Sequence, residues 1–145
     1  MSPIADQELG RLLVNVCRLH HTRADQSMDK IGLYRGQALL LMTLSEHDGL
    51  PHSEIAEKLE ISAPAATKVI KRMEEAHYVQ RRADRADERI SRVYLQPQGR
   101  ALIAEIHRTF GRLDRAMFDG LPERDLERFR GLLTQMQVNL LRFEP

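Results

Sequence analysis

The sequence predicts a mainly α fold of the α+β class, formed by a single domain over residues 1–145. The length of 145 residues suits one domain. Apolar residues recur three and four positions apart along most of the chain, as in helices, whereas a central stretch has them two apart, as in a strand. With 42% hydrophobic and 30% charged residues, the composition supports a hydrophobic core and excludes a disordered chain.

Four helices are predicted in the first half of the chain. The first carries an apolar stripe, and the second is apolar nearly all round, which predicts that it is buried. Turn residues at 47–51 separate the second helix from a short third helix, and a longer fourth helix follows closely. The stripe of the first helix consists of Leu9, Leu12, Leu13, Val16 and Leu19, and the other helices cover Arg35–Leu44, Ser53–Leu59 and Ser62–Ala76.

A hairpin and two long helices are predicted in the second half. Val79–Arg82 and Ser91–Leu95 are strand-like segments on either side of a charged loop, and the helical period returns from Pro97. A short helix, a tight turn, an amphipathic helix and a hairpin together form a winged helix-turn-helix arrangement with a two-stranded wing. We therefore expect a winged helix-turn-helix part over 33–96, flanked by long N- and C-terminal helices within 1–30 and 97–145.

The net charge of +1 conceals a basic middle of the chain. Residues 61–100 contain nine Lys or Arg and five Asp or Glu, a balance of +4. The other 105 residues contain 13 basic and 16 acidic residues, a balance of −3. Because phosphate binding depends on the local field rather than on the overall charge, this segregation favours nucleic acid as a partner of the central part.

The outward face of the predicted Ser62–Ala76 helix suits the DNA major groove. Its N-terminal half has small residues that permit close approach, and then a hydroxyl and cations that can contact base edges and phosphates. Ser62 is a favourable N-cap, and Pro64 in the first turn costs no hydrogen bond. A solvated helix face is the alternative interpretation. The candidate DNA-binding residues of this helix are Ser62, Ala63, Pro64, Ala65, Thr67, Lys68, Lys71 and Arg72.

The hairpin loop adds three further candidates, Arg85, Asp87 and Arg89. A wing arginine can enter the minor groove, and a neighbouring carboxylate, here Asp84 or Asp87, can hold its side chain in the required direction. The alternative is an ordinary hairpin with surface ion pairs, each of which contributes little.

Four segments form a pattern that matches a known family. They are Ser53–Leu59 (SEIAEKL), Ile61–Lys68 (ISAPAATK), Arg72–Glu74 (RME), and Asp87–Arg89 (DER) leading into Val93–Leu95 (VYL). With them, nearly the whole chain resembles the MarR family of bacterial and archaeal transcription regulators. The resemblance implies a homodimer, with the terminal helices at the interface, that binds a pseudo-palindromic operator in double-stranded DNA, most commonly as a repressor. It also implies that Ser62, Pro64, Ala65, Thr67 and Lys68 occupy recognition-helix positions and that Arg89 occupies the wing position.

The sequence departs from the family pattern at several positions. His77 stands where a glycine usually turns the chain at positive φ after the recognition helix. Gln96 stands where a threonine usually caps the next helix, and Glu88 stands where a basic residue is common. Ala65 and Ala66 replace residues that are commonly Thr and Val. These departures bear on operator sequence and affinity more than on the fold.

The long terminal helices independently predict dimerisation. A winged core of this size is too small to cover both apolar stripes, so a second copy is expected to cover them. A two-fold dimer would bring its two recognition helices to successive major-groove faces, roughly 34–36 Å apart. The alternative is a monomer in which these helices pack back on the core.

Two weaker patterns concern small ligands. Cys17, His20 and His21 lie at i, i+3 and i+4 on the first helix, where they could bind a metal or haem. Cys17 could instead sense peroxide, as in one branch of the family. The alternative is that these residues pack in a helix interface. The resemblance also implies small, often aromatic and anionic, effectors bound between the dimerisation helices and the winged part. The candidate residues for such a site are Arg11, Arg18, Arg23, Tyr34 and Arg35.

Other classes of protein are disfavoured. No Gly-rich phosphate loop, paired His-Glu metal motif or nucleophile elbow occurs, so we expect no enzymatic activity, no catalytic residues, no resident metal and no cofactor. The absence of a long apolar run, the acidic Asp6 and Glu8 near the start, and the single cysteine predict a soluble cytoplasmic protein without membrane contact. The main rival is a winged helix that binds protein, which predicts an acidic or unsegregated Ser62–Arg72 face.

Overall fold

The computed structural model describes residues 3–145, and six helices and three strands account for most of them. Packing divides the chain into one compact unit that ends at Leu113 and another from Asp114 to Pro145. The elements in chain order are α1 (Pro3–Asp29), α2 (Arg35–Glu46), β1 (Leu50–Pro51), α3 (His52–Leu59), α4 (Ala63–Glu75), β2 (Val79–Ala83), β3 (Ser91–Leu95), α5 (Pro97–Met117) and α6 (Glu123–Leu141). The mainly α, α+β prediction is therefore confirmed, as are the positions of the predicted helices and of the hairpin.

The core of the first unit surrounds α2, whose residues Ala38, Leu40, Leu41 and Leu44 are fully buried. This burial agrees with the sequence, in which apolar residues lie on nearly all sides of this helix. The other buried core residues come from α1 and the segment after it, from β1, α3 and α4, and from β2, β3 and α5: Met28, Leu33, Leu50, Ile55, Ile70, Met73, Val79, Val93, Leu95 and Ile106.

The sheet has three antiparallel strands in the order β1-β3-β2, one more than the predicted two-stranded hairpin. The additional strand, β1, lies in the predicted turn and pairs Leu50 with Val93 and Pro51 with Arg92. Two residues are too few to show an alternating pattern, and a proline is tolerated in an edge strand, so the sequence carries little signal for β1. Its effect is to tie the segment between α2 and α3 to the base of the wing.

Gly49 allows the close approach of β1 and β3. Its φ of +73° lies in the left-handed region, and a Cβ there would be 2.7 Å from Cε1 of Tyr94. Asp48 strengthens the same junction, because its Oδ1 accepts hydrogen bonds from the N–H groups of Leu95 (2.8 Å) and Gly49 (3.1 Å). The base of the wing is thus joined to the end of α2.

The second unit consists of the end of α5, a turn at Gly120 (φ +77°), and α6. None of the residues of α6 is buried within this chain. Phe118, Leu126, Phe129 and Leu133 line an open apolar groove of about 610 Å³. Because exposing apolar side chains to water is unfavourable, the apolar side of α6 is a surface that the expected dimer could bury.

Candidate nucleic-acid interface

The turn between α3 and α4 presents the N-terminus of α4 at the surface. Glu60 ends α3 in the left-handed conformation, with φ 54° and ψ 43°, which turns the chain sharply. Ile61 then donates its backbone N–H to the carbonyl of Ala56 at 3.0 Å. Ser62 caps α4, since its Oγ accepts the N–H of Ala65 at 3.3 Å. The helix-turn-helix that the sequence predicts is therefore formed by α3, residues 60–62 and α4.

One face of α4 is fixed by the core. Ala66, Ile70 and Met73 are buried, and the partly buried Val69 packs against the same cluster. These four positions are three and four apart, as the sequence predicts for the inner face. At the end of the helix His77 has φ 61°, so it adopts the left-handed conformation expected there despite its side chain.

The opposite face of α4 carries the candidate DNA-binding residues. Ser62, Ala63, Pro64, Thr67, Lys68, Lys71 and Arg72 are exposed, and Ala65 is half-buried. The charge along this face changes in order: uncharged residues at the N-terminus, cations in the middle, and the exposed carboxylate of Glu75 at the C-terminus. Because a carboxylate repels phosphate, the N-terminal half is the part suited to approach DNA.

The wing, residues 79–95, is held to the sheet by Asp84 and Arg92. One carboxylate oxygen of Asp84 accepts the N–H groups of Ala86 (2.8 Å) and Asp87 (3.0 Å), which closes the turn, and the other accepts from Nε of Arg92. Arg92 also donates from Nη1 to the carbonyl of Gly49 at 2.9 Å. The Arg92 guanidinium and the two backbone donors lower the pKa of Asp84 to about 2, so the carboxylate is charged at neutral pH.

Asp87 orients Arg89 in the same loop. The carboxylate accepts two hydrogen bonds from the guanidinium, at 2.9 Å from Nε and 3.0 Å from Nη2. The Arg89 side chain is nevertheless 90% exposed, so it extends into solvent with its direction fixed. This pairing lowers the pKa of Asp87 and raises that of Arg89. Arg85, the other wing candidate, is exposed and makes no hydrogen bond or ion pair with the residues that the structure describes.

Ion pairs divide the nine cations of residues 61–100 into two groups. Four have carboxylate partners: Arg81 with Glu74, Arg89 with Asp87, Arg92 with Asp84, and Arg100 with Asp48. Five have no carboxylate partner within residues 3–145: Lys68, Lys71, Arg72, Arg82 and Arg85. Four of these five are on the exposed face of α4 or at the tip of the wing, so the local positive field is concentrated on the two elements expected to meet DNA.

Several residues that position these elements carry no clear signal in the sequence. Arg92 and Gly49 connect the wing to β1, and Arg81 connects β2 to α4, because its Nε donates to Glu74 Oε2 at 2.8 Å. Arg82 lies over the ring of Tyr94, with its guanidinium carbon 5.2 Å from the ring centroid. The Asp84-x-x-Asp87 spacing in a charged loop was the available signal for the turn, because Asp side chains commonly accept backbone N–H groups two and three residues ahead.

His52, at the start of α3, lies close to the Arg81–Glu74 pair. Its Nε2 is buried and has no hydrogen-bond partner among the described residues. Burial, together with the positive charge of Arg81, lowers the pKa of this histidine. We therefore expect a neutral His52 at pH 7.

The residues proposed for small ligands lie at different places on α1 and α2. Cys17 is exposed, the rings of His20 and His21 are 6.5 Å apart, and no group of three metal-ligating side chains occurs in the described part of the chain. Arg35 pairs with Asp25 at 3.0 Å, and Arg23 donates to Gln26 at 2.8 Å. Arg11, Arg18 and Tyr34 are exposed, and none of the five effector candidates lines the groove of the second unit.

No helix in residues 3–145 is long and apolar enough to cross a membrane.

Known proteins resemble the chain in sequence and in structure. The MarR family model matches residues 33–91, which include α2 to the start of β3. The HTH-type transcriptional regulator TtmR of Methylorubrum extorquens is 38% identical over 66 residues, which are 46% of this chain and 34% of TtmR. The uncharacterized HTH-type transcriptional regulator YwoH of Bacillus subtilis is 30% identical over 115 residues, 79% of this chain and 83% of YwoH.

The solved structure of BpsR from Bordetella bronchiseptica superimposes on this chain with a TM-score of 0.77. The DNA binding of BpsR is regulated by 6-hydroxynicotinic acid. The match covers 90% of this chain and 98% of BpsR, at 24% sequence identity. At that identity the likeness concerns the fold.

Proposed function

The chain belongs to the MarR family of transcriptional regulators, and from this premise we propose that it is a sequence-specific DNA-binding repressor in the cytoplasm. It acts as a homodimer on a pseudo-palindromic operator and is released by a small effector. In each subunit α4 enters the major groove and Arg89 of the wing enters the flanking minor groove. TtmR and YwoH are likewise named as transcriptional regulators rather than as enzymes.

One observation carries this proposal: within residues 61–100, four of the five cations without carboxylate partners lie on the exposed face of α4 or at the tip of the wing. Lys68, Lys71 and Arg72 lie on the face opposite the buried Ala66, Ile70 and Met73. A winged helix that binds protein has no need for this separation. Phosphate contacts favour it, because a cation without an internal carboxylate partner can neutralise a phosphate and release the counterion bound there.

Exposed apolar side chains on both terminal helices support the homodimer. On α1 they include Leu12, Val16 and Leu19, and on α6 they include Leu132 and Leu140, all between 49% and 70% exposed. A monomer would leave these side chains in water, whereas a second copy can bury them. The 610 Å³ groove beside α6 supplies a concave surface for such contacts.

The oligomeric state tests the interface directly. We expect the wild type to sediment as a dimer, and Leu133→Asp, which places a charge in the groove, to shift it toward monomer. Arg128→Asp, an exposed substitution on the same helix, is the matched control and should remain dimeric. A wild type that stays monomeric at tens of micromolar would contradict the homodimer.

Selection of bound sequences from a random duplex library at near-physiological salt tests the function itself. An enriched inverted repeat, with half-sites one helical turn apart, is the expected result. Binding without enrichment would contradict sequence specificity. No binding would contradict the whole proposal and favour a protein partner.

The effector is expected to be a small anionic or aromatic acid, as the family resemblance implies. BpsR, whose DNA binding is regulated by 6-hydroxynicotinic acid, is a precedent for this class of ligand. A ligand that prefers one spacing of the two recognition helices would shift the dimer toward or away from the DNA-competent state. A panel of phenolic and hydrophobic acids should therefore contain compounds that raise thermal stability and weaken operator binding, and a panel without effect would contradict effector control.

A further inference from the structure

The first two turns of α4 expose aliphatic groups in place of hydrogen-bond donors. Ala63, Pro64 and Thr67 are exposed, and Ala65 is half-buried. A proline has no N–H, and an alanine side chain has neither donor nor acceptor. The part of the helix best suited to approach DNA is therefore mostly hydrocarbon.

The hydroxyl of Thr67 does not change this character, because its proton is used inside the helix. Oγ1 of Thr67 donates to the backbone carbonyl of Ala63 at 3.0 Å. A threonine hydroxyl has one proton, so Thr67 has no proton left to donate to a base edge. Its oxygen can still accept a hydrogen bond, and its methyl group is available for apolar contact. The remaining side-chain donors between residues 62 and 68 are Ser62, whose oxygen caps the helix, and the ammonium of Lys68.

Thymine supplies the complementary group in the major groove. Each base pair presents a distinct set of donors and acceptors there, and the C5-methyl group of thymine is the apolar feature among them. We propose that Pro64 and Thr67 recognise thymine methyl groups by apolar contact, so that methyl contact rather than hydrogen bonding specifies part of each half-site. This rests on the proposed function, in which α4 enters the major groove.

Replacing thymine by deoxyuridine tests the contact without altering any hydrogen-bonding group of the base. The duplex is the operator obtained by selection. In each variant duplex, deoxyuridine replaces the thymine at one position of the half-site, and the same position is changed in both half-sites. We expect one or two positions in each half-site to respond. Each methyl removed should weaken binding about fourfold, on the scale of burying one methylene group, and the remaining thymines should tolerate the change.

Two substitutions at position 67 separate the methyl group from the hydroxyl. Thr67→Val keeps a methyl group and removes the hydroxyl, and we expect binding within about twofold of the wild type. Thr67→Ser keeps the hydroxyl and removes the methyl, and we expect about fourfold weaker binding for each half-site. The serine variant should also lose its response to deoxyuridine at one position, since the methyl partner is gone. Circular dichroism and thermal melting establish that both variants are folded.

The outcomes separate this inference from the proposed function. An operator that binds equally well with deoxyuridine at every position would overturn methyl recognition while the regulator assignment stands. Weaker binding by Thr67→Val than by Thr67→Ser would do the same and assign the contact to the hydroxyl. Failure to bind any duplex DNA would overturn the proposed function, and this inference with it.

Discussion

Helix α4 and the wing are both positively charged and exposed, but different interactions hold them in place. α4 is anchored by buried apolar side chains such as Ile70 and Met73, and its outward cations make no ion pairs within the described chain. The tip of the wing is exposed and is positioned instead by carboxylates, Asp84 on Arg92 and Asp87 on Arg89. Core packing is the main anchor of α4, and it also holds the base of the wing through Val79 and Val93. Electrostatic interactions hold the tip of the wing.

The difference suits the two grooves that these elements are proposed to contact. A helix in the major groove needs a rigid backbone, which core packing supplies, and side chains free to meet bases and phosphates. A single arginine in a narrow minor groove needs a fixed direction, which a bidentate carboxylate supplies at the surface where no core is available.

Ile70→Ala should produce the largest effect, because it removes the buried anchor of α4. Ile70 is 1% exposed, and a large-to-small change at such a site typically costs about 2–5 kcal/mol of unfolding free energy. Lys71→Ala, on the exposed face of the same helix, is the control and should stay within about 0.5 kcal/mol of the wild type. Urea denaturation measures both, and equal stabilities would contradict the packing account.

Arg89→Ala should leave the fold intact and weaken DNA binding about 5- to 30-fold, for operator and nonspecific duplex alike. Asp87→Asn sharpens the test, because it leaves the arginine charge in place but removes the carboxylate that orients it. If orientation matters, Asp87→Asn should weaken binding even though it makes the wing more positive. Tighter binding by this variant would indicate that Asp87 acts only as a local negative charge.

The sequence predicts most of this contrast on the helix side. On the wing side it predicts the hairpin and a carboxylate beside the wing arginine, but not which residues pair. The three- and four-residue spacing of Ala66, Val69, Ile70 and Met73 assigns the inner face of α4, because helical periodicity is a local property. The cap at Ser62 and the left-handed position of His77 are local in the same way, and both are observed.

The wing depends instead on contacts between distant residues. Arg92 donates to the carbonyl of Gly49, 43 positions earlier, and Asp48 accepts from Leu95, 47 positions later. Such pairs leave no periodic trace, and a row of charged residues does not reveal which carboxylate binds which arginine. For the same reason the two-residue strand β1 was not predicted, and the balance of charge over residues 61–100 could not separate paired cations from unpaired ones.

Lys68→Ala should produce a smaller effect that depends on salt. Lys68 makes no ion pair with residues 3–145, so its charge is available to phosphate. If it contacts one phosphate, the slope of log K against log salt should decrease by about one unit, with operator preference unchanged. If it contacts a base edge instead, base preference at one position changes while the slope stays the same. Lys58→Ala, an exposed change on α3, is the control, and an identical response in both variants would contradict a specific role for Lys68.

Lowering the pH should weaken the interactions of Asp84 that hold the wing without weakening the packing of Ile70 in α4, and this is the smallest effect we expect. The pKa of Asp84 is about 2 in the folded chain, below its ordinary value of 3.8. The stabilisation from this carboxylate is therefore complete above pH 3.8, and it is lost as the pH falls through about 2, because the unfolded chain binds the proton first. Asp84→Asn abolishes this titration, so the difference in unfolding free energy between the wild type and this variant should shrink from pH 4 to pH 2. A difference that is constant over this range would mean that hydrogen bonding to the turn, rather than the charge of Asp84, holds the wing.

Ile70→Ala provides the matching measurement on the helix: its destabilisation should not vary with pH in this range, since a buried hydrocarbon contact contains no titrating group.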